Sequence, residues 1–522
     1  MASEDSSTLE FGLVRRLLDR LEGTTNRQLF GFSVLWVLVG GLLLQLVVLP
    51  YIFSSGHWGH GLIGDLDSVG FHLRAADQAQ TIRQFGWGVF DVTDDFPVAL
   101  TTALYAAVYP EPWVVLPVNA ILFGIALVAV RRLLTILFDS AHVALLALAP
   151  FFAFPSFAPL WGQLHRDLIT GAGLCVVLCA LVLASTRGPR STSLLGCVVM
   201  AVLGMGLMWL SRSYAMTLVA GATVVLVVFA FLGRAWPRGR LIVVAAVVLL
   251  AASSSVLVST RPRGSIASLM PQTPPGGAPS SDGAPSSDGA PSSDGAPSSD
   301  GAPSSDGASS RADAPARPGE TPIGEPSALS LSWRSLLQPR IRYKDPSLPL
   351  YASCLPDPTR NVLDRLLFNL CHVREGFIVD GSHFGAGSGY DLDVRLRSAE
   401  DFIAYGPRAI RWGILEPGPT RWGVEKQSTV GRLGALFVPL EMSAVYVTLL
   451  LALVFGGSWR TRPAIWSVLA FCITYSLIYA VATPILGTLY RMRAFAFAIM
   501  VSIALAVVLA NKAGVGKGGA RV

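Results

Sequence analysis

The apolar segments of this chain sort its arginines, and that sorting constrains the fold more than any other feature. Ten apolar stretches lie near residues 30–53, 113–130, 137–155, 168–185, 192–210, 214–232, 241–258, 433–456, 464–482 and 494–511. Most approach the ~20 apolar residues that a helix needs to cross a bilayer core. Short cytoplasmic connections of membrane proteins accumulate Lys and Arg. After Arg15, Arg16, Arg20 and Arg27, alternate connections carry Arg131/Arg132, Arg187/Arg190, Arg234/Arg238/Arg240 and Arg460/Arg462, and Lys512, Lys517 and Arg521 follow the last stretch. The pattern predicts an all-α polytopic membrane protein of about ten transmembrane helices, with both termini cytoplasmic.

On that reading residues 1–29 are a cytoplasmic tail without a cleavable signal pattern, and the first span serves as the anchor. Residues 30–259 form a first bundle whose outer loop is 54–112. Residues 260–324 are a linker, 325–432 a folded outer loop, 433–511 the last helices and 512–522 a second tail. Any chemistry is expected on the outer face.

Composition excludes a soluble enzyme. Hydrophobic residues make up 52% of the chain and charged ones 14%, with a mean hydropathy of +0.53. The net charge of +6 calls for no nucleic-acid partner, because the flanking arginines of the inner connections account for it. Cys175, Cys179, Cys197 and Cys472 fall in apolar spans and read as small buried hydrophobes. Cys354 and Cys371 fall in the outer loop, where an oxidising compartment permits a disulfide as readily as two thiols. No metal-binding Cys/His spacing is present, and His57 and His60 read as a surface pair with no nearby carboxylate to complete a site.

The first outer segment is acidic, and Phe71, Ala75, Ala79 and Ile82 recur in it at helical spacing, with Gly86 placed to end the turn. This pattern predicts an amphipathic helix lying on the outer membrane surface. A second helix is expected from Pro97 to Tyr109, too short to span. Asp67 and Ser68 stand at the start of the first, where either can cap its free N–H groups.

The run Asp67-Ser68-Val69-Gly70-Phe71-His72-Leu73-Arg74-Ala75 resembles the Asp-Ser-x-x-Tyr-His-x-x-Ala stretch of the GT-C glycosyltransferase superfamily, with Phe71 in place of Tyr. In layout the likeness covers roughly residues 30–250. It implies a GT-C-like arrangement of helices and a sugar donor carried on polyprenyl phosphate. It also implies a glycan or lipid-linked acceptor, and an acidic residue of the first outer loop acting as catalytic base or metal ligand. Asp67 holds that place here. Asp65 completes an Asp-x-Asp, a spacing that suits a divalent cation on a nucleotide sugar, although nucleotide sugars are cytoplasmic.

Four arginines, Arg166, Arg212, Arg491 and Arg493, stand at the outer ends of spans, against the bias elsewhere. Each is similar to a position where GT-C-like proteins set basic residues against the carrier phosphate, which a guanidinium fork fits. Taken singly, each equally suits a lipid headgroup. Glu441, inside an apolar stretch, is expected to be protonated or paired.

Residues 271–316 are of low complexity, with Gly-Ala-Pro-Ser-Ser-Asp repeated from Gly277 to Asp306, and read as a flexible insert without chemistry. Beyond it, a helix is expected over Asn361–Leu370, and Ser398 with Asp401 resembles a capping box. The run over about 374–422 resembles an ill-characterised group of bacterial membrane proteins associated with exopolysaccharide loci. Within it Arg374, Asp391, Asp393 and Arg408 are candidates to grip sugar hydroxyls or phosphate, or to pack the loop onto the membrane face. The expected function is transfer of a sugar in surface-polysaccharide assembly. The alternatives are an O-antigen-type polymerase or ligase, or a non-enzymatic membrane partner of other polysaccharide-assembly proteins.

Overall fold

The computed structural model describes residues 23–54, 57–63, 67–90, 96–163, 165–185, 193–232, 238–259, 362–383, 389–396, 398–419, 429–455 and 462–512. All of them lie in one compact unit, Met1–Arg261 with Arg340–Val522, and the second unit is Pro262–Pro339. The hexapeptide repeat, Asp65 and Cys354 fall outside the described residues.

The first described helix is α1, Asn26–Leu43, started by a capping box between Thr25 and Gln28 and continued by a wider helical turn through Ile52. A hairpin of β1, His57–Gly59, and β2, Leu62–Ile63, leads to α2, Asp67–Phe85, and α3, Phe96–Ala107. Positive φ at Gly59, His60 and Gly61 makes the hairpin turn. Then come α4, Leu116–Phe138, and three short helices: α5, Ala141–Leu146, α6, Ala149–Ala153, and α7, Phe157–Gly162. Long helices follow as α8, Arg166–Ala184, α9, Leu194–Ser211, α10, Ser213–Leu232, and α11, Arg238–Ser259. After the insert stand α12, Val362–His383, α13, Ala399–Ile410, α14, Thr429–Phe455, α15, Pro463–Ala482, and α16, Leu486–Lys512.

Among the described residues, seven helical segments are long and apolar enough to cross a membrane. They are Asn26–Ile52, Pro112–Phe138, Arg166–Ala184, Leu194–Ser211, Ser213–Leu232, Pro463–Ala482 and Leu486–Lys512. The chain is an all-α polytopic membrane protein, and seven of the ten expected spans are long and apolar enough among the described residues. The 137–155 stretch is not one helix, because Asp139 takes a left-handed φ of 53° to close α4 and Pro150 opens a separate short helix. The other two stretches fall in α11 and α14, which both form and are apolar over their described parts, Gly239–Ser253 and Phe437–Leu451.

At the centre lies α8, apolar all round and buried from Asp167 to Ala184. Its neighbour α9 comes close because a Cβ on Gly173 would stand 2.6 Å from the Gly204 carbonyl, and one on Gly204 2.8 Å from that of Gly173. Small residues of this kind let helix backbones meet where lipid offers no hydrophobic drive. The short helices α5–α7 return along α4, so that Asn119, near its start, donates to the carbonyls of Trp161 (3.0 Å) and Gln163 (2.8 Å). The start of α8 is thereby brought back to the end of the bundle where α4 began.

The predicted helix over 67–86 forms, and Gly86, at φ 83°, follows its last turn with its N–H on the Ile82 carbonyl. Its apolar face is not offered to lipid. Phe71, Ala75 and Ala79 pack with Val98 and Tyr105 of α3, and Arg83 ties the pair by donating to the Tyr105 and Ala106 carbonyls.

Candidate functional site

Four of the predicted residues meet at one end of the bundle. Asp67 opens α2, Arg166 opens α8, Arg212 stands between α9 and α10, and Arg491 lies in the second turn of α16. Asp67 carries Ser68 beside it, but the Ser68 hydroxyl is buried without a hydrogen-bond partner among the described residues. The Asp67 carboxylate instead faces Arg491, whose Nη2 lies 3.5 Å from its Oδ2.

Two further residues complete the cluster. Asp167 is buried and takes both Nε (3.0 Å) and Nη2 (2.7 Å) of Arg212 on its Oδ1. The third guanidinium nitrogen of Arg212, Nη1, donates to the Tyr214 hydroxyl at 2.7 Å. His165 accepts from Arg491 Nη1 through Nε2 at 3.1 Å, so its proton sits on Nδ1, 3.3 Å from Asp167 Oδ2. Among the described residues, Nδ1 and Oδ2 are both buried without a hydrogen bond. Arg491 Nε stands 3.9 Å from the same Oδ2. Arg166 lays its guanidinium over the Phe71 ring, 5.1 Å from the centroid.

The electrostatics follow from this crowding. Burial pushes the Asp67 carboxyl up, but Arg491, Arg166, His165 and Arg212 outweigh it and hold it at about 2. Burial, then the Arg491 charge, lowers the His165 imidazole, with Asp167 opposing, so it is neutral at pH 7. An ionised, half-exposed carboxylate thus stands before three guanidinium groups. Beside it lies a small cavity lined by Phe71, Pro97, Leu100, Thr101, Asn119 and His165, mostly apolar at its α3 and α4 walls.

The remaining predicted residues gather elsewhere. Arg493 is fully buried, its Nη1 donating to the Trp412 (2.6 Å) and Gly413 (2.7 Å) carbonyls and its Nη2 to that of Glu416. Arg374 is likewise buried and donates to the carbonyls of Val394, Val481 and Asp391. Asp391, at φ 47°, accepts from the Tyr405 hydroxyl (3.0 Å) and Trp412 Nε1 (2.9 Å). Arg408, well exposed, stands 3.7 Å from Asp391 Oδ1. These residues lock α13 and the turn after it against α15 and α16. The capping box of Ser398 and Asp401 forms as the sequence predicts. Glu441 accepts from the Ser156 N–H (2.5 Å) and from the Tyr490 hydroxyl, not from an arginine.

His60 meets a carboxylate that the sequence reading did not supply: its Nδ1 is 2.9 Å from Glu111, brought round by the turn after α3. Among the described residues no group of three His, Cys, Asp or Glu side chains is arranged to hold a metal ion. The oxygens of Asp67 and Asp167 face guanidinium groups, a donor set that suits an anion better than a cation. Asp65 lies outside the described residues, so the Asp-x-Asp pair is not assembled here. Cys371 is disulfide-bonded, while Cys175, Cys179, Cys197 and Cys472 are free and buried.

The model of a family described as "Predicted membrane protein (DUF2339)" matches residues 98–516. The chain belongs to this family. No curated protein and no solved structure matches it. The DUF2339 region takes in Arg166, Asp167, Arg212 and Arg491 but begins after Asp67, so the cluster joins the family region to the segment before it.

Proposed function

We propose that the chain is a membrane glycosyltransferase. It moves a sugar from a polyprenyl-phosphate carrier to a glycan or lipid-linked acceptor on the outer face of the bacterial inner membrane, in surface-polysaccharide assembly. The observation that carries the reading is the placement of Arg491. Its one hydrogen bond among the described residues is to neutral His165, and both carboxylates before it stay at 3.5 and 3.9 Å. A guanidinium held this loosely beside a partly open carboxylate is disposed to take phosphate oxygens. The arginine bias of the connections supports an outward-facing cluster. On this reading the chain is GT-C-like in layout, with the 141–162 segment, α11 and α14 as crossings beside the seven apolar spans.

In this reading Asp67 takes the proton from the acceptor hydroxyl while its oxygen bonds to the anomeric carbon. The bond from that carbon to the carrier phosphate oxygen breaks, and its electron pair leaves with the phosphate. Arg491 and Arg166 neutralise the charge that develops there. His165 and the Asp167 carboxylate, itself held by Arg212, position Arg491. Arg374, Arg493 and Asp391 hold the α13 loop, and Arg408, exposed beside Asp391, meets the glycan.

Asp67→Asn tests the assignment, because Asn occupies a helix start about as well as Asp but cannot accept the proton. Membrane insertion and yield should be unchanged and surface-glycan assembly lost. Full activity in a normally inserted Asp67→Asn protein would remove the base and favour a non-enzymatic assembly role.

A further inference from the structure

We infer that Arg491 is a switch worked by the ligand itself: an incoming phosphate draws its guanidinium away from Asp67 and thereby turns that carboxylate into a base. The inference rests on the phosphate-site reading above and adds how the site stays silent without its carrier.

Three features lead to it. First, Arg491 touches neither carboxylate at hydrogen-bond distance, standing 3.5 Å from Asp67 and 3.9 Å from Asp167. Second, Asp167 does not depend on it, since Arg212 already places two nitrogens on its Oδ1 at 3.0 and 2.7 Å. The departure of Arg491 therefore strands no buried charge. Third, the side chains of Asp67 and Arg491 are 36% and 17% exposed, so a ligand can reach the contact that joins them. A phosphoryl group offers the fork two oxygens and at least the charge of a carboxylate, and it competes directly for Arg491.

The consequence for Asp67 follows from its surroundings. Among the described residues, the charged or titratable groups that face it are Arg491 from α16, His165 and Arg166 from the head of α8, and Arg212 from the α9–α10 turn. While Arg491 faces it, Asp67 is ionised but weakly basic, at about 2. Removing the foremost of those cations and adding a phosphate anion both push its affinity for a proton upward. A carboxylate muted until the carrier arrives cannot activate water in the empty site.

The test uses the full-length protein in dodecyl maltoside, with dodecyl phosphate as the probe and an apolar carbodiimide, which reacts with protonated carboxyls, as the reporter. Adducts at Asp67 are counted by peptide mass spectrometry at pH 5.5, with Asp67→Asn as the assignment control, and binding of the probe is followed by calorimetry. Each unit of upward shift raises the protonated fraction about tenfold, so labelling should rise about tenfold or more on adding dodecyl phosphate. In Arg491→Ala it should be high from the outset and indifferent to the probe. The wild-type comparison stands by itself if that variant fails to fold. Probe that binds without changing Asp67 labelling would overturn the switch and leave the phosphate site standing. Probe that does not bind at all would overturn both.

Discussion

Arg491, in the second turn of the last helix, places Nη2 3.5 Å from Oδ2 of Asp67, the first residue of α2. This contact joins the first extramembrane segment to the C-terminal helices, and His165 and Asp167 support it from the head of α8. It depends on α5–α7 doubling back along α4, which returns the chain to the same end of the bundle.

The acid response of the Asp67 contact has a defined sign. Its folded value, about 2, lies below the ordinary 3.8, so its stabilising contribution is present above about pH 4 and is lost as pH falls toward 2. Melting temperatures of wild type and Asp67→Asn should differ by a constant amount from pH 8 to about 4.5 and converge below. A difference that already closes at pH 6 would contradict the ionised assignment.

His72 acts in a separate window. Burial, with the charge of His60, lowers it from 6.5 to about 4, and its Nδ1 is 2.9 Å from the Tyr105 hydroxyl. The unfolded chain therefore binds a proton between pH 6.5 and 4 that the folded one refuses, and stability falls across that range. His72→Gln should flatten this limb of a melting-temperature profile and leave the limb below pH 4 in place. An unaltered slope between pH 6.5 and 4 would show that another group titrates there.

Arg212 and Asp167 form a buried pair, so removing one partner strands a charge. Arg212→Ala and Asp167→Ala should each destabilise by about 3–5 kcal/mol, and the Arg212→Met/Asp167→Leu double variant should recover most of it. Thermal scanning with size-exclusion chromatography in detergent measures this. Additive losses in the double variant would mean that the two do not act as a pair.

Much of this architecture was legible in the residues. Seven of the expected spans, the Ser398 capping box, the Gly86 stop and the turn at Arg212 all follow from local pattern. The break at 137–155 was hidden because apolar runs look alike whether or not Pro150 and a left-handed Asp139 interrupt them. Arg166, Arg212 and Arg491 stood out as charges against the topological bias, but His165 and Asp167 did not. An acid beside an arginine at a helix start reads as an ordinary first-turn charge. Nor does residue type say where a guanidinium's donors end: Arg374 and Arg493 reach backbone carbonyls on distant elements, and only the tertiary fold supplies those partners. Glu111 reaches His60 for the same reason.

The crossing of α8 and α9 allows no side chain at Gly204, where an added Cβ would meet Val177 at 2.7 Å as well as the Gly173 carbonyl. Gly204→Val should lower the yield of monodisperse protein sharply, whereas Gly206→Ala, with nothing within 4 Å of its Cβ, should not. Equal yields would place the helices farther apart than described.

Binding of radiolabelled polyprenyl phosphate to the purified protein tests the central claim most directly. The account predicts saturable binding by wild type. It predicts a loss of about tenfold to a hundredfold in Arg491→Ala, the range expected when a charge-assisted hydrogen bond is removed, and no such loss in Arg408→Ala. Binding that is absent in wild type, or equal in wild type and Arg491→Ala, would contradict it.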